Sequence, residues 1–173
     1  MILTAPRVCY RLGDPRFALL DGTGAARAPG RWNAVGVSVV YAAGTFAGAI
    51  LEQLAHAGIG RLPPREFISI TIPAGVQITE ESARAHPGWD SDDCRVSRTL
   101  GHAWYTTGTT VALWVPSKPG APVEETVVLN PTHRDFVRLA ASTPQPFAWD
   151  QRLHRATPAT PKRVRSPLPA LFT

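Results

Sequence analysis

One acidic residue and one short loop carry most of the chemistry this sequence could perform. The loop is Gly30-Arg31-Trp32-Asn33, followed by Gly36 and Tyr41, and the acid is Glu52. A guanidinium offers a rigid fork of donors suited to phosphate. An asparagine amide can pin a loop or contact a ribose hydroxyl. Trp32 can stack on a base or anchor its loop in the core. On a helix beginning at Thr45, the neighbours of Glu52 at three and four residues are Gly48, Ala49, Ala55 and His56. Phe46, Ile50 and Leu54 fall on the opposite side. The carboxylate therefore projects from a side lined by small residues, with room for a ligand beside it. An ordinary exposed helix glutamate has the same spacing. A second cluster joins Trp114-Val115-Pro116-Ser117 to Leu129-Asn130-Pro131 and His133. Both place polar residues at the ends of apolar strands beside proline, a position that also suits simple turns.

The elements that must position these groups are legible in outline. Val37–Ala42 reads as a short buried strand and Thr45–Ala57 as a helix ended by Gly58 and Gly60. Glu66–Pro73 reads as a strand, Glu80–Ser91 as a polar connection and Asp92–Tyr105 as a helix. Thr109–Pro116, Thr126–Asn130 and Phe147–Trp149 read as further strands. The first 30 residues, broken by Gly22, Gly24 and Gly30, are expected to be irregular. Strands and helices without regular βαβ alternation indicate an α+β fold with a compact mixed sheet and flanking helices.

Several partial motifs fail. Gly22-Thr-Gly24 could open a dinucleotide fingerprint, but Arg27 stands where the third small residue is needed. His133-Arg134-Asp135 resembles a kinase catalytic loop, but Ala140 stands in place of its asparagine. The five histidines and two cysteines show no metal-ligand spacing, so no metal is expected.

The chain has 173 residues, 44% of them hydrophobic, and no stretch long enough to cross a bilayer as a helix. Its N-terminus lacks a signal-peptide pattern, and Cys9 and Cys94 make no disulfide framework, so a cytoplasmic location is expected. The net charge of +5 comes from the tail. Residues 1–151 hold 13 basic and 13 acidic residues, whereas Arg152, Arg155, Lys162, Arg163 and Arg165 follow with no acid. Four prolines lie in the same segment, so the chain divides into a domain over 1–153 and a basic, proline-rich tail over 154–173. The tail reads as a docking arm for an acidic partner or as a solvated terminus. The body lacks a basic face with interleaved aromatics of the kind that binds nucleic acid.

Taken in order, these packets resemble the RES domain, the toxin half of RES–Xre toxin–antitoxin pairs. The match runs from Tyr10-Arg11 through Gly30-Arg31-Trp32-Asn33, Gly36, Tyr41 and Ala49-Ile50-Leu51-Glu52. It continues with Gly101-His102-Ala103-Trp104, Val115-Pro116-Ser117 and Leu129-Asn130-Pro131-Thr132-His133, and closes on Phe147–Leu153. Pro29 departs from the pattern, where a second glycine often precedes Gly30. The resemblance implies a fold like that of ADP-ribosyltransferases. It also implies consumption of NAD by hydrolysis, by phosphorolysis or by ADP-ribosyl transfer to a host protein. It assigns catalysis to Glu52, Arg31, Tyr41 and Ser117, and substrate contacts to Arg11, Tyr10, Asn33 and Asn130. Tyr41 would stack on nicotinamide or the ribose face, and Ser117 would bond the amide or ribose. NAD is then a substrate rather than a cofactor, with phosphate a candidate second substrate. The implied partner is an Xre-type antitoxin that occludes the site, with a homodimer inside the complex, DNA reached only through the antitoxin, and no membrane. A reading from another class is a non-catalytic nucleotide-binding module using the same cleft.

Overall fold

The computed structural model describes residues 1–57 and 62–153, so Gly58, Gly60 and the 154–173 tail lie outside the described residues. The strands are β1 (Arg7–Gly13), β2 (Val40–Ala43), β3 (Arg65–Ile72), β4 (Ile78–Glu80), β5 (Ala112–Pro116), β6 (Glu125–Leu129), β7 (Ala140–Ala141) and β8 (Gln145–Phe147). The helices are α1 (Thr23–Arg27), α2 (Phe46–Ala57) and α3 (Arg95–Thr107). All eight strands join one sheet in the order β4-β5-β6-β2-β1-β3-β7, with β8 also pairing with β3. Only β4 and β5 run parallel; the other pairs are antiparallel. The architecture is α+β.

Strand alternation divides the sheet into two faces. One face carries Cys9, Val40, Ala42, Ile68, Ile70, Ile72, Ala112, Trp114, Val127 and Leu129, packed against Leu3, Leu19, Val76 and Val111. The other face carries both long helices. Trp32, Trp89 and Trp104 pack there on Val39, Leu113, Val115 and Val128, with Leu100 of α3 against them. Beside them, Ala49, Phe46 and Ile50 of α2 pack on Leu12, Ala43 and Tyr10. The two clusters meet along β2, where Tyr41 belongs to the first and Ala43 to the second.

The expectation of an irregular first 30 residues is corrected. β1 lies inside the sheet and pairs with β3 along its whole length, from Arg7 opposite Ile72 to Gly13 opposite Glu66. Its Val8-Tyr10-Leu12 alternation survives the two arginines because Arg7 bonds Glu80 and Glu125 and Arg11 bonds a main-chain carbonyl. β1 and β2, by contrast, share a single register pair, Tyr10 with Ala43. Beyond it, a side chain of β1 takes up a carbonyl of β2: Arg11 Nη1 donates to the Tyr41 carbonyl at 2.7 Å.

α3 is fixed by a backbone contact. A Cβ placed on Gly101 would stand 1.8 Å from the Trp32 carbonyl oxygen. Only glycine lets the helix axis approach the Gly30–Asn33 loop this closely. The C-terminus of α3 closes on Gly108 at φ +55°, whose N–H bonds the Trp104 carbonyl. Gly101→Ala is accordingly expected to destabilise the fold by about 1–3 kcal/mol through overpacking. Gly24→Ala, in α1 with no atom within 4 Å of the added methyl, is expected to be neutral or mildly stabilising. Urea unfolding of the two variants checks the contrast.

Candidate active site

Glu52 leaves α2 toward the β5–β6 hairpin, not toward open space. Its Oε1 accepts a hydrogen bond from the Ser117 hydroxyl at 2.8 Å and another from the Thr126 hydroxyl at 3.1 Å. Ser117 follows the last residue of β5, and Thr126 lies near the start of β6. Both are almost fully buried, at 2% and 7% exposure. The carboxylate side chain retains 25% exposure, and His56 Nε2, one turn along α2, stands 4.0 Å from Oε2. One carboxylate oxygen is thus held by two hydroxyls, and the other has no hydrogen bond among the described residues and lies nearest the exposed His56 ring.

The small residues beside Glu52 serve this contact. A Cβ on Gly48 would lie 2.5 Å from Glu124 Oε2, and a Cβ on Gly120 would lie 2.3 Å from the Glu124 Cβ. The expected ligand space along this side of α2 is therefore filled in part by the hairpin itself. Thr45 ties the two together: its hydroxyl donates to Glu124 Oε2 at 2.6 Å and accepts from the Gly48 N–H at 2.9 Å. The Ser117 N–H donates to the Glu124 carbonyl at 2.9 Å, which closes the hairpin base.

Tyr41 organises the other wall. Its hydroxyl donates to Asn33 Oδ1 at 2.8 Å and accepts from the Trp32 N–H at 2.9 Å. Asn33 Oδ1 also accepts from the Gly30 N–H at 2.8 Å, while its Nδ2 donates to the carbonyls of Ala25, Ala34 and Val37. Asn33 is fully buried and its amide is committed to the loop. Of the two uses open to it from sequence, loop pinning is the one its contacts serve. Trp32 is likewise an anchor, 2% exposed and stacked on Trp89 with ring centroids 5.9 Å apart. Gly30 lies flat against the Tyr41 ring, where a Cβ would meet the hydroxyl at 2.8 Å. Burial pushes the Tyr41 phenol above its ordinary range; the Trp32 N–H and the Arg98 charge oppose this, and Glu52 adds to it. The phenol is a neutral structural donor at any physiological pH.

Arg31 projects from this loop and is held by main-chain carbonyls. Its Nη1 donates to Trp89 and Ser91 at 2.9 and 2.8 Å. Arg11 leaves β1 on the Cys9 face, by alternation opposite to the face that carries Tyr41 and Thr126. Its guanidinium reaches the gap between β1 and β2, and burial pulls it down to about 10, with the Asp21 charge acting against that. Its Nε is buried and has no partner among the described residues. Tyr10 meets Phe46 edge-on at 5.8 Å, in an aromatic run that continues through Phe67, Phe147 and Trp149.

Asn130 is not brought to this site. β5 and β6 are antiparallel, so Ser117 and Asn130 occupy opposite ends of the hairpin. Four residues of strand separate Asn130 from Thr126, roughly 13 Å. Asn130 is buried, with Oδ1 accepting from the Thr132 N–H and hydroxyl at 3.0 and 2.7 Å. It lines a separate depression of about 560 Å³ with Gln77, Tyr105, Thr109, His133 and Arg134. Glu52, Ser117, Tyr41 and the Arg31 loop share one face; Thr126 is the partner that sequence reasoning missed. Its signal was a hydroxyl in a stripe otherwise filled by Val128.

The fold and these side chains define an α+β protein with a carboxylate, a hydroxyl pair and an arginine loop on one face of a mixed sheet. A solved structure with this fold is the MbcT–MbcA toxin–antitoxin complex of M. tuberculosis, which matches with a TM-score of 0.69 at 19% identity, over 84% of this chain and 86% of that one. The RES domain model matches residues 8–150, and the chain belongs to that family. Relatives include the Prs ADP-ribosylating toxin of Sphingobium sp. (strain YBL2), 37% identical over 141 residues, 79% of this chain and 87% of that protein. Toxin Res of Pseudomonas putida is 32% identical over 79% of this chain and 94% of its own length. Toxin Res of Photorhabdus laumondii is 29% identical over 86% of this chain and 98% of its own length.

Tyr41→Phe is expected to cost about 1–3 kcal/mol, because it leaves the Trp32 N–H without its acceptor. Equilibrium unfolding in urea measures this, and an unchanged midpoint would show that the hydroxyl does not hold the loop.

Proposed function

We propose that this chain is the toxin of a toxin–antitoxin pair and that it depletes NAD by cleaving the bond between nicotinamide and ribose. The observation that carries the reading is the clamped carboxylate of Glu52, with Oε1 fixed by Ser117 and Thr126 and Oε2 left without a hydrogen bond among the described residues. The similarity to proteins named as toxins, one of them ADP-ribosylating, supports it.

The chemistry follows from the leaving group. Nicotinamide departs from a cationic nitrogen and needs little acid help. As the C–N bond breaks, its electron pair goes to the pyridine nitrogen and positive charge develops on the ribose. An oriented carboxylate stabilises that charge, or orders the ribose hydroxyls, without reorganising during the step. Water then forms the new C–O bond, giving ADP-ribose and releasing one proton, for which Glu52 Oε2 is a suitable acceptor. Phosphate in place of water gives ADP-ribose 1″-phosphate. Arg31 is assigned to the pyrophosphate. Ser117 acts on Glu52 as well as on any substrate amide or ribose, and Tyr41 holds the Gly30–Asn33 wall. The chain requires a neutralising partner in the cell, and an antitoxin segment of acidic or amphipathic character suits the Arg31 loop.

The 37% identity to an ADP-ribosylating toxin favours a second reading, in which a protein side chain takes the place of water or phosphate after the same first step. Purified wild-type chain is expected to consume NAD, and folded Glu52→Gln to lose at least about a hundredfold in rate. Chromatography of the products names the acceptor: ADP-ribose for water, ADP-ribose 1″-phosphate for phosphate, and labelled protein for transfer. Turnover undiminished in Glu52→Gln would remove the carboxylate from the mechanism.

A further inference from the structure

The wall opposite Glu52 carries a second arginine that the sequence reading does not single out. Arg98 lies on α3, three residues before Gly101, and therefore on the side of the helix that meets the Gly30–Asn33 loop. Its Nε points at the Gly30 carbonyl at 3.4 Å, and its Nη1 at the Asp93 carbonyl at 3.5 Å. The Gly30 carbonyl belongs to the peptide that leads into Arg31. Arg31 itself is held by the carbonyls of Trp89 and Ser91. Both guanidiniums thus meet main-chain oxygens of the same short loop, residues 89–93, and Arg98 also meets the Gly30 carbonyl.

Neither arginine has a carboxylate within ion-pair distance among the described residues, although the loop contains three aspartates, Asp90, Asp92 and Asp93. Asp92 is engaged by Lys118 at 2.5 Å, and Asp93 by Arg95 at 3.6 Å. Arg7, Arg16, Arg138 and Arg152 all pair with acids. Two of the loop's acids thus pair with other cations, while Arg31 and Arg98 are held by main-chain carbonyls. Carbonyl oxygens orient a guanidinium without neutralising it, so its remaining N–H groups stay available to an anion. The Arg98 charge acts on the Tyr41 phenol in the sense opposite to that of Glu52. By its contact with the Gly30 carbonyl, Arg98 belongs to the wall that carries the Gly30–Asn33 loop.

We propose that Arg98 is a substrate-binding residue that, together with Arg31, binds the two phosphates of the dinucleotide pyrophosphate. The inference rests on the NAD reading of the site and adds to it the residue that completes a dianion clamp. Two guanidiniums oriented by carbonyls of one loop offer more charge and more donors to two linked phosphates than Arg31 alone.

The test uses ADP-ribose as the probe, with calorimetric titration of the intact wild-type chain, Arg98→Gln and Arg98→Lys. The affinity is expected to fall at least about tenfold in Arg98→Gln, to recover in part in Arg98→Lys, and to depend less steeply on salt in Arg98→Gln. In turnover, Arg98→Gln is expected to raise the KM for NAD at least about tenfold with kcat nearly unchanged, the signature of lost ground-state binding. Arg98→Gln that is folded by thermal melting and binds ADP-ribose as wild type does would overturn the proposal. If Arg98→Gln fails to fold, Arg98→Lys decides: affinity and KM within about threefold of wild type support a charge role, and a loss of about tenfold or more in the folded Arg98→Lys chain contradicts it. Wild-type chain that neither binds ADP-ribose nor consumes NAD would instead remove the reading on which the proposal stands.

Discussion

The grip of two hydroxyls on one oxygen of Glu52 is the constraint around which this face of the protein is built. It joins α2 to a hairpin remote from it in sequence, gripping Glu52 from the end of β5 and the start of β6. For Ser117 and Thr126 to reach the carboxylate, the hairpin must lie directly against the helix, and Gly48 permits that approach while Gly120 lets the hairpin loop close on Glu124. Thr45 and Glu124 add a hydrogen bond at the first turn of α2, so that helix and hairpin are fixed at two levels. A carboxylate held this way presents its second oxygen in one direction, without the rotamer freedom of an exposed glutamate.

The opposite wall solves the same problem with backbone in place of side chains. The Tyr41 hydroxyl and the Asn33 amide satisfy the main chain of a loop that has no regular structure of its own. Gly30 against Tyr41 and Gly101 against Trp32 then press that loop between the sheet and α3. The loop's cations are left pointing at carbonyls. Rigid polar scaffolds of this kind are what electrostatic stabilisation requires, since groups already in place need not reorganise as charge develops.

Much of the fold was legible because its long elements are strongly patterned. β3, with Ile68, Ile70 and Ile72 on one face, and α2, with Phe46 and Ile50, follow the periodicity closely. β1 was not legible, since Arg7 and Arg11 sit on its buried face and their partners, Glu80, Glu125 and the Tyr41 carbonyl, are remote in sequence. The sequence marked Arg31, Tyr41, Glu52 and Ser117 as candidates, and the fold brings them to one face. It could not reveal that Asn33 is consumed by its own loop, or that antiparallel pairing sends Asn130 to the far end of the hairpin from Ser117. Thr126 and Arg98 were missed for a related reason: each matters through a partner on another element.

The most direct test of this account is the rate of NAD cleavage by Ser117→Ala, Thr126→Val and the double variant, each verified as folded. If the two hydroxyls work by fixing Glu52, each single change lowers kcat, and the double variant loses far less than the product of the two single losses, because the carboxylate is already free after the first. Wild-type kcat in all three variants would mean that the clamp is structural and that Glu52 does not act through it.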